Sequence, residues 1–304
     1  MSQKELKRIR TLGRLIDDKM SQKGAAVAMG CSTRTVRRLK TRYVQEGAEG
    51  LAHRRRGLVG NRATDPALKA KVLELLQSKY AGFGPVFAAE KLDEDDGIKV
   101  NRETLRTWML ANGLWHTKHV RIRQRKWRER KEFLGQMLQL DGSRHLWIAG
   151  EYWHLLKLID DATGRVFQRF YDGESYKNVV DLTIRYIKTY GKPRSIYTDR
   201  GSVYKVTTGN EDNNITTHYH KALLALEIEL IHARSPQAKG RVERSFATDQ
   251  DRLVKELRLK GIVTIDAANQ FLERTYNSKH NKKFSCAPRG ADNVHIPIGN
   301  VDLV

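Results

Sequence analysis

The chain has 304 residues, 39% of them hydrophobic, which is enough for a real core and about two or three domains. Its 56 Lys/Arg against 35 Asp/Glu give a formal net charge of +21, which points to a polyanionic partner, although a merely basic or ribosome-associated protein shares that bias. The two cysteines, Cys31 and Cys286, lie far apart and outside any metal-ligand spacing. The polar start Met1-Ser2-Gln3-Lys4 leads to no apolar segment, and nothing reaches the length of a membrane span. These features argue against a disulfide framework, a structural zinc site, secretion and membrane insertion. A cytoplasmic, nucleoid-associated protein is expected.

The charge is uneven, with 31 Lys/Arg and 15 Asp/Glu in residues 1–135. That half reads as DNA-binding and the remainder as a globular domain. Residues 5–50 predict a helix-turn-helix unit. An Ala-rich helix ends at Gly30-Cys31-Ser32, and Ser32 caps a second helix from Thr33 to about Gln45. Val36, Leu39 and Tyr43 recur at helical spacing and should face the core. Thr33, Arg34, Thr35, Arg37 and Arg38 lie where such a helix meets base edges in the major groove, although an amphipathic helix with solvated arginines would look similar.

Residues 51–64 read as a basic linker around Arg54-Arg55-Arg56. Residues 65–115 predict a second helix-turn-helix-like unit. Asp65-Pro66 opens its first helix, Gly84-Pro85 its second, and Asn101 caps a third from Arg102 to Leu110. Arg102 and Arg106 of that third helix are candidate DNA contacts. Residues 116–133 form a basic linker helix, with eight Lys/Arg between positions 118 and 131. So dense a run repels itself unless a polyanion neutralises it, and Arg123 and Arg125 are its candidate DNA contacts.

From 134 to 290 the pattern becomes mixed α/β, followed by a tail at 291–304. Leu138-Gln139-Leu140 predicts a short strand ending at Asp141-Gly142. Tyr152 to Ile159 and Arg165 to Tyr171 predict a hairpin around an Asp160-Asp161 turn. A helix over Ser175 to Tyr190 precedes a strand, Ser195 to Thr198, that runs into Asp199. A polar loop at 207–217, a helix from His220, a strand from Ile228 to His232, and helices over Lys239 to Leu259 and Ile265 to Tyr276 complete the order β-β-β-α-β-α-β-α.

Two carboxylates, Asp141 and Asp199, thus stand at predicted strand ends, each closely followed by glycine. Glu243 stands near the start of a long helix. Three converging carboxylates repel unless cations neutralise them, and hard oxygen donors favour Mg2+ or Mn2+. Two ions roughly 4 Å apart serve phosphoryl transfer. Taken singly, Asp141 and Asp199 also suit turns and Glu243 a helix N-terminus, while Asp160 and Asp161 read foremost as turn residues.

The strings Leu138-Gln139-Leu140-Asp141-Gly142-Ser143, Tyr197-Thr198-Asp199-Arg200-Gly201-Ser202 and Ser235-Pro236-Gln237-Ala238-Lys239-Gly240-Arg241-Val242-Glu243-Arg244 resemble the three acidic motifs of integrase-core transposases, nearest the ISNCY group of insertion sequences. The likeness covers nearly all of 10–290. It implies an RNase H-like (integrase-core) α/β catalytic domain behind all-α helix-turn-helix units. It further implies a DDE mechanism in which Asp141, Asp199 and Glu243 hold two Mg2+ or Mn2+ ions. Cleavage would free a 3′-hydroxyl at an element end, and that hydroxyl would attack target DNA. Lys239 and Arg241 would contact phosphates near the site. The implied partners are terminal-repeat and target DNA, bound by a homo-oligomer.

Two features depart from the pattern. The 43 residues between Asp199 and Glu243 exceed the spacing of many integrase cores, and the 207–217 loop can absorb the excess. Members of the group also continue into a β-rich C-terminal domain where this chain stops at Val304, as a shortened copy would. A non-enzymatic repressor made from such a copy is the alternative reading, and a plain RNase H-type nuclease a third.

Overall fold

The computed structural model describes residues 2–52, 64–117, 129–148, 151–199, 201, 203–204, 217–233 and 240–298. The chain divides into two compact units, Met1–Lys71 and Val72–Val304.

The first unit is built on α1 (Gln3–Ile16), α2 (Gln22–Met29) and α3 (Thr33–Glu46), with a 3-10 turn at Gly47–Leu51. Each helix starts on a serine whose hydroxyl accepts a backbone N–H: Ser2 for α1, Ser21 for α2 and Ser32 for α3. Gly30 ends α2 with φ 62°, a left-handed conformation that lets the chain reverse into α3 within three residues. Leu12, Leu15, Ala25, Val36 and Leu39 form the core, with Tyr43 packed at its edge. The predicted apolar face of α3 is therefore its buried face.

α4 (Pro66–Gln77) carries the chain across the division between the units. In the second unit, α5 (Pro85–Asp96) and α6 (Arg102–Ala111) precede β1 (Leu138–Ile148), β2 (Glu151–Asp160) and β3 (Val166–Tyr171). Then follow α7 (Tyr176–Tyr190), β4 (Ser195–Thr198), α8 (His218–Ala225), β5 (Glu229–His232), α9 (Gly240–Leu259) and α10 (Ile265–Phe271). A π turn at Leu272–Tyr276 leads into α11 (Asn277–Phe284).

The sheet order is β3-β2-β1-β4-β5. β1, β2 and β3 are antiparallel neighbours, and β4 and β5 run parallel to β1. This is the integrase-core arrangement that the resemblance implies. One face carries Leu138, Leu140, Leu156, Leu158 and Ile196 against α7 and α8. The other carries Trp147, Leu155, Ile159 and Phe170 against α9 and α10. The second helical cluster joins this unit through ion pairs from α5 to α9, Glu90 with Arg252 (2.6 Å) and Lys91 with Glu256 (2.8 Å).

The structure corrects two expectations. β1 does not end at Asp141-Gly142 but runs on for a total of 11 residues, to Ile148. Glycine is tolerated there because the Glu174 carboxylate and Leu156 occupy the space that a side chain would need. The final helix does not stop at Tyr276, since the π turn passes without a break into α11. Asp160 and Asp161 lie at the β2–β3 turn as expected, and there they are buried, 2% and 0% exposed. Residues 53–63 of the linker predicted at 51–64, 118–128 of the linker helix predicted at 116–133, most of the 207–217 loop, and 234–239 lie outside the described residues.

Candidate active site

Asp141 belongs to the odd-numbered series of β1 that faces α9. On the same face, Gln139 donates to Asp161 (2.7 Å) and the Ser143 hydroxyl accepts from Gln250 of α9 (3.2 Å). β4 pairs with β1 in parallel register, Leu138 opposite Ile196 and Gln139 opposite Tyr197. β4 ends at Thr198, so Asp199 directly follows the strand that neighbours β1. Asp141 is mid-strand in β1. Its Oδ1 accepts the Gly142 N–H (3.1 Å), and Asp199 Oδ1 accepts the Gly201 N–H (2.8 Å).

Glu243 lies in the first turn of α9 and is exposed. Gln250 is two turns further on and on the same stripe of that helix, the stripe that touches β1. Ser245 and Asp249 face β2 instead, where they bind Lys157. Glu243 shares the Gln250 stripe at the N-terminal end of α9. Among the described residues, however, no three His, Cys, Asp or Glu side chains stand close enough to hold an ion. As a donor set, carboxylate oxygen suits Mg2+ or Mn2+.

Sequence reasoning missed what lies beside Asp141. Lys157 is directly opposite Asp141 in the β1–β2 ladder and has no exposed surface. Its ammonium donates to the Ser245 hydroxyl (2.7 Å) and to the Asp249 carboxylate, and stands 4.3 Å from the centre of the Phe246 ring. Burial pushes the Lys157 pKa down, opposed by the charges of Asp249 and Asp141. The other Asp249 oxygen accepts from Tyr276 (2.8 Å). The sequence signal was slight: one lysine in an otherwise apolar strand.

Asp160 and Asp161 are also tied into the fold. Asp160 accepts from Thr163 (2.7 Å) and from the Gly135 N–H (2.9 Å), and Asp161 from Gln139, the Lys131 N–H (2.8 Å) and Arg241 (2.6 Å). Arg241, a candidate phosphate contact, thus commits part of its guanidinium to holding α9 on the hairpin. Glu174 accepts from the Tyr204 hydroxyl (2.6 Å), tying the start of α7 to the segment after Asp199.

Of the candidate DNA contacts, Arg34, Arg37 and Arg38 are exposed on α3, and Arg37 Nε donates to Gln22 (3.0 Å). Thr33 is half-buried, and the Thr35 hydroxyl pairs with Ser32 at the cap (3.0 Å). Arg102 is exposed on α6, and Arg106 lies 3.4 Å from Glu103. Arg123, Arg125 and Lys239 lie outside the described residues.

His280 of α11 gives a pH test of this packing. Burial lowers its pKa to about 4, with Asp249 opposing and Lys157 and Arg252 assisting. Its neutral form is favoured in the fold, so between the unfolded value of about 6.5 and about 4 the unfolded chain binds more protons. Stability should fall by up to about 3 kcal/mol as pH drops through that window. Urea midpoints for wild type and His280→Gln should diverge at pH 7 and approach one another near pH 4. Parallel curves across the range would refute the assignment.

A three-helix unit with a helix-turn-helix, followed by a five-stranded mixed sheet of order β3-β2-β1-β4-β5, defines a helix-turn-helix protein with an integrase-type core. Models described as Homeodomain-like domain match residues 2–52 and 35–109. The Sinorhizobium fredii protein y4bF, which carries a provisional transposase name, is 40% identical over 302 residues, covering 98% of this chain and 66% of its own. The transposase for insertion sequence IS1202 of Streptococcus pneumoniae is 27% identical, covering 92% of this chain and 68% of its own. The chain belongs to the transposase family, and it spans about two thirds of the length of these relatives. Their names do not place it in a subgroup.

Among solved structures, the chain is similar to one in a simian T-cell lymphotropic virus intasome complex (16% identity, TM-score 0.40, covering 67% of this chain and 69% of that one). It is also similar to the HTLV-2 integrase catalytic core domain with magnesium (19% identity, TM-score 0.37, covering 47% and 88%). No helix among the described residues is long and apolar enough to cross a membrane.

Proposed function

We propose that the chain is a DDE transposase that binds the DNA ends of its element and catalyses their metal-dependent 3′ cleavage and transfer into target DNA. What supports this reading is that Asp141 lies on β1, that Asp199 directly follows the neighbouring strand β4, and that Glu243 is in the first turn of the helix that packs on β1. These three side chains would hold two divalent ions. Bound there, the ions would supply charge stabilisation for the attacking and leaving oxygens of a phosphodiester. Asp141 and Asp199 orient their carboxylates through backbone N–H bonds, and Glu243 comes from the first turn of α9. The buried Lys157 offsets part of the negative charge behind Asp141 before any ion binds. Arg34, Arg37 and Arg38 on α3 place the DNA, and protomers assemble on paired ends.

The test is joining of oligonucleotides that carry the inverted repeats flanking the gene, with magnesium present and absent. Magnesium-dependent joining confined to those ends is expected. Arg34→Ala should weaken end binding roughly tenfold, the effect of losing about 1–3 kcal/mol of base contact. End binding with no joining at any divalent ion concentration would leave a DNA-binding repressor. Equal cleavage of unrelated DNA or RNA–DNA hybrids would indicate a plain nuclease.

A further inference from the structure

A groove of about 770 Å³ opens at the outer edge of the sheet, between the last turns of α7, the edge strand β3 and α11. Its charged lining is Arg165, Arg185, Lys188 and Lys282 against one acid, Glu273. Glu273 is engaged by Arg169 and lies 4.0 Å from Arg185, which also donates to Asp181 (2.8 Å). Among the described residues, no carboxylate stands within ion-pair distance of Arg165, Lys188 or Lys282. Arg165 lies over the Tyr190 ring, 5.5 Å from its centre. Lys282 also borders the space beside Glu90 and Glu94, but those carboxylates pair with Arg252, Lys283, Lys91 and Lys279. Lys188 and Lys282 are both exposed, in the last turns of α7 and α11. The cavity at the start of α9, lined by Arg130, Arg241, Arg244 and the His280 and Phe284 rings, differs. There Arg241 pairs with Asp161 (2.6 Å) and Arg130 donates to the Ala162 carbonyl (3.2 Å).

The edge strand beneath the groove is closed to further pairing. Asn281 accepts from the Val166 N–H (2.7 Å) and donates to the Val166 carbonyl (2.9 Å). Asn269 does the same at Phe170 (2.8 and 3.0 Å), and Asn277 donates to the Gln168 carbonyl (3.3 Å). These bonds occupy alternate backbone groups through which an open edge would take up another strand. A partner's extended segment therefore has no ladder to join here. A self-complementary contact with a second copy would set the groove's cations against one another. A polyanion meets neither obstacle. Cations from three separate elements suit successive phosphates of a nucleic-acid backbone.

We propose that this groove is a second DNA contact, holding backbone phosphates on Arg165, Lys188 and Lys282 without reading sequence. It rests on the DNA-binding part of the reading above, in which α3 recognises the element ends, and it adds affinity for any duplex. β3 is two strands from β1, about 10 Å across the sheet, so the phosphates held there are not those beside Asp141. Lysines in a last turn also favour the helix dipole. The test therefore reads the salt dependence of DNA binding, which that role would not move.

The full chain is titrated by anisotropy against an element-end duplex and a duplex of unrelated sequence, in EDTA, from about 50 to 200 mM salt. Each lost phosphate contact lowers the slope of log affinity against log salt by about 0.9. Lys188→Gln combined with Lys282→Gln should lower it by about 1.8 on both duplexes, so that the affinity lost over this salt range shrinks about tenfold. Lys188→Arg combined with Lys282→Arg should keep the wild-type slope. Lys221→Gln, at an exposed cation of α8 outside the groove, should keep it too. An unchanged slope in the glutamine double variant, or an equal change per charge from Lys221→Gln, would overturn the proposal. So would a change confined to the element-end duplex, which would make the effect one of sequence recognition. A chain that joins DNA in magnesium with its slope unmoved by the double variant keeps the transposase function and loses the groove. One whose slope falls as expected yet never joins DNA keeps the groove and loses the catalytic reading.

Discussion

Asp141→Asn and Asp199→Asn should each reduce DNA joining about 1,000-fold or more while leaving end binding within a few-fold of wild type. A bound ion supplies several kcal/mol of charge stabilisation, and each 1.4 kcal/mol is about tenfold in rate. Either amide would remove one charge from the proposed ion-binding set. Glu243→Gln should behave alike, although its side chain comes from the first turn of α9. The sign of the binding change is informative. Without divalent ions, clustered carboxylates repel DNA phosphates, so each variant should bind DNA slightly more tightly than wild type in EDTA. Joining assays in magnesium and anisotropy titrations in EDTA measure the two effects separately. Carboxylate variants that join DNA within tenfold of wild type would remove Asp141, Asp199 or Glu243 from the chemistry.

The largest effect on stability should come from the buried pair of Lys157 and Asp249. Both side chains are 0% exposed, and they link β2 to α9 behind the carboxylate face. Removing one partner strands a charge in the core, so Asp249→Leu or Lys157→Met alone should cost about 3–5 kcal/mol. The double variant replaces the pair with apolar groups of similar volume and should recover most of that loss. Urea unfolding midpoints for the four proteins form a complete cycle. Additive losses in the double variant, or single losses under about 1 kcal/mol, would show that the ammonium and carboxylate are not energetically coupled. The double variant should still join DNA less well than wild type, because Lys157 also lies opposite Asp141.

Much of the fold was legible because its signals are local. Serine caps and a left-handed glycine marked the helix-turn-helix, and the buried positions of α3 fell at the predicted spacing. The strand pattern through 151–171 and the helix that follows were readable from alternation and turn chemistry. β1 was cut short because Asp141-Gly142 has the composition of a turn. Its continuation depends on Leu156 and Glu174, which lie 14 and 32 residues beyond Gly142. Asp160 and Asp161 were read as turn residues, which is where they lie, but turn chemistry says nothing of burial. Their burial depends on Gly135, Gln139, Lys131 and Arg241 arriving from elsewhere.

The order of elements, the basic front half, the capped recognition helix and the identity of the three acidic side chains follow from the amino-acid sequence, since each is a matter of residue type and short-range spacing. The chain alone did not determine that Asp141 would sit in mid-strand, that Lys157 would be buried opposite it, or that three arginines and two aromatic rings would line one cavity. Those arrangements depend on strand register and helix packing between residues up to about a hundred and fifty positions apart, where only the folded chain sets the distances.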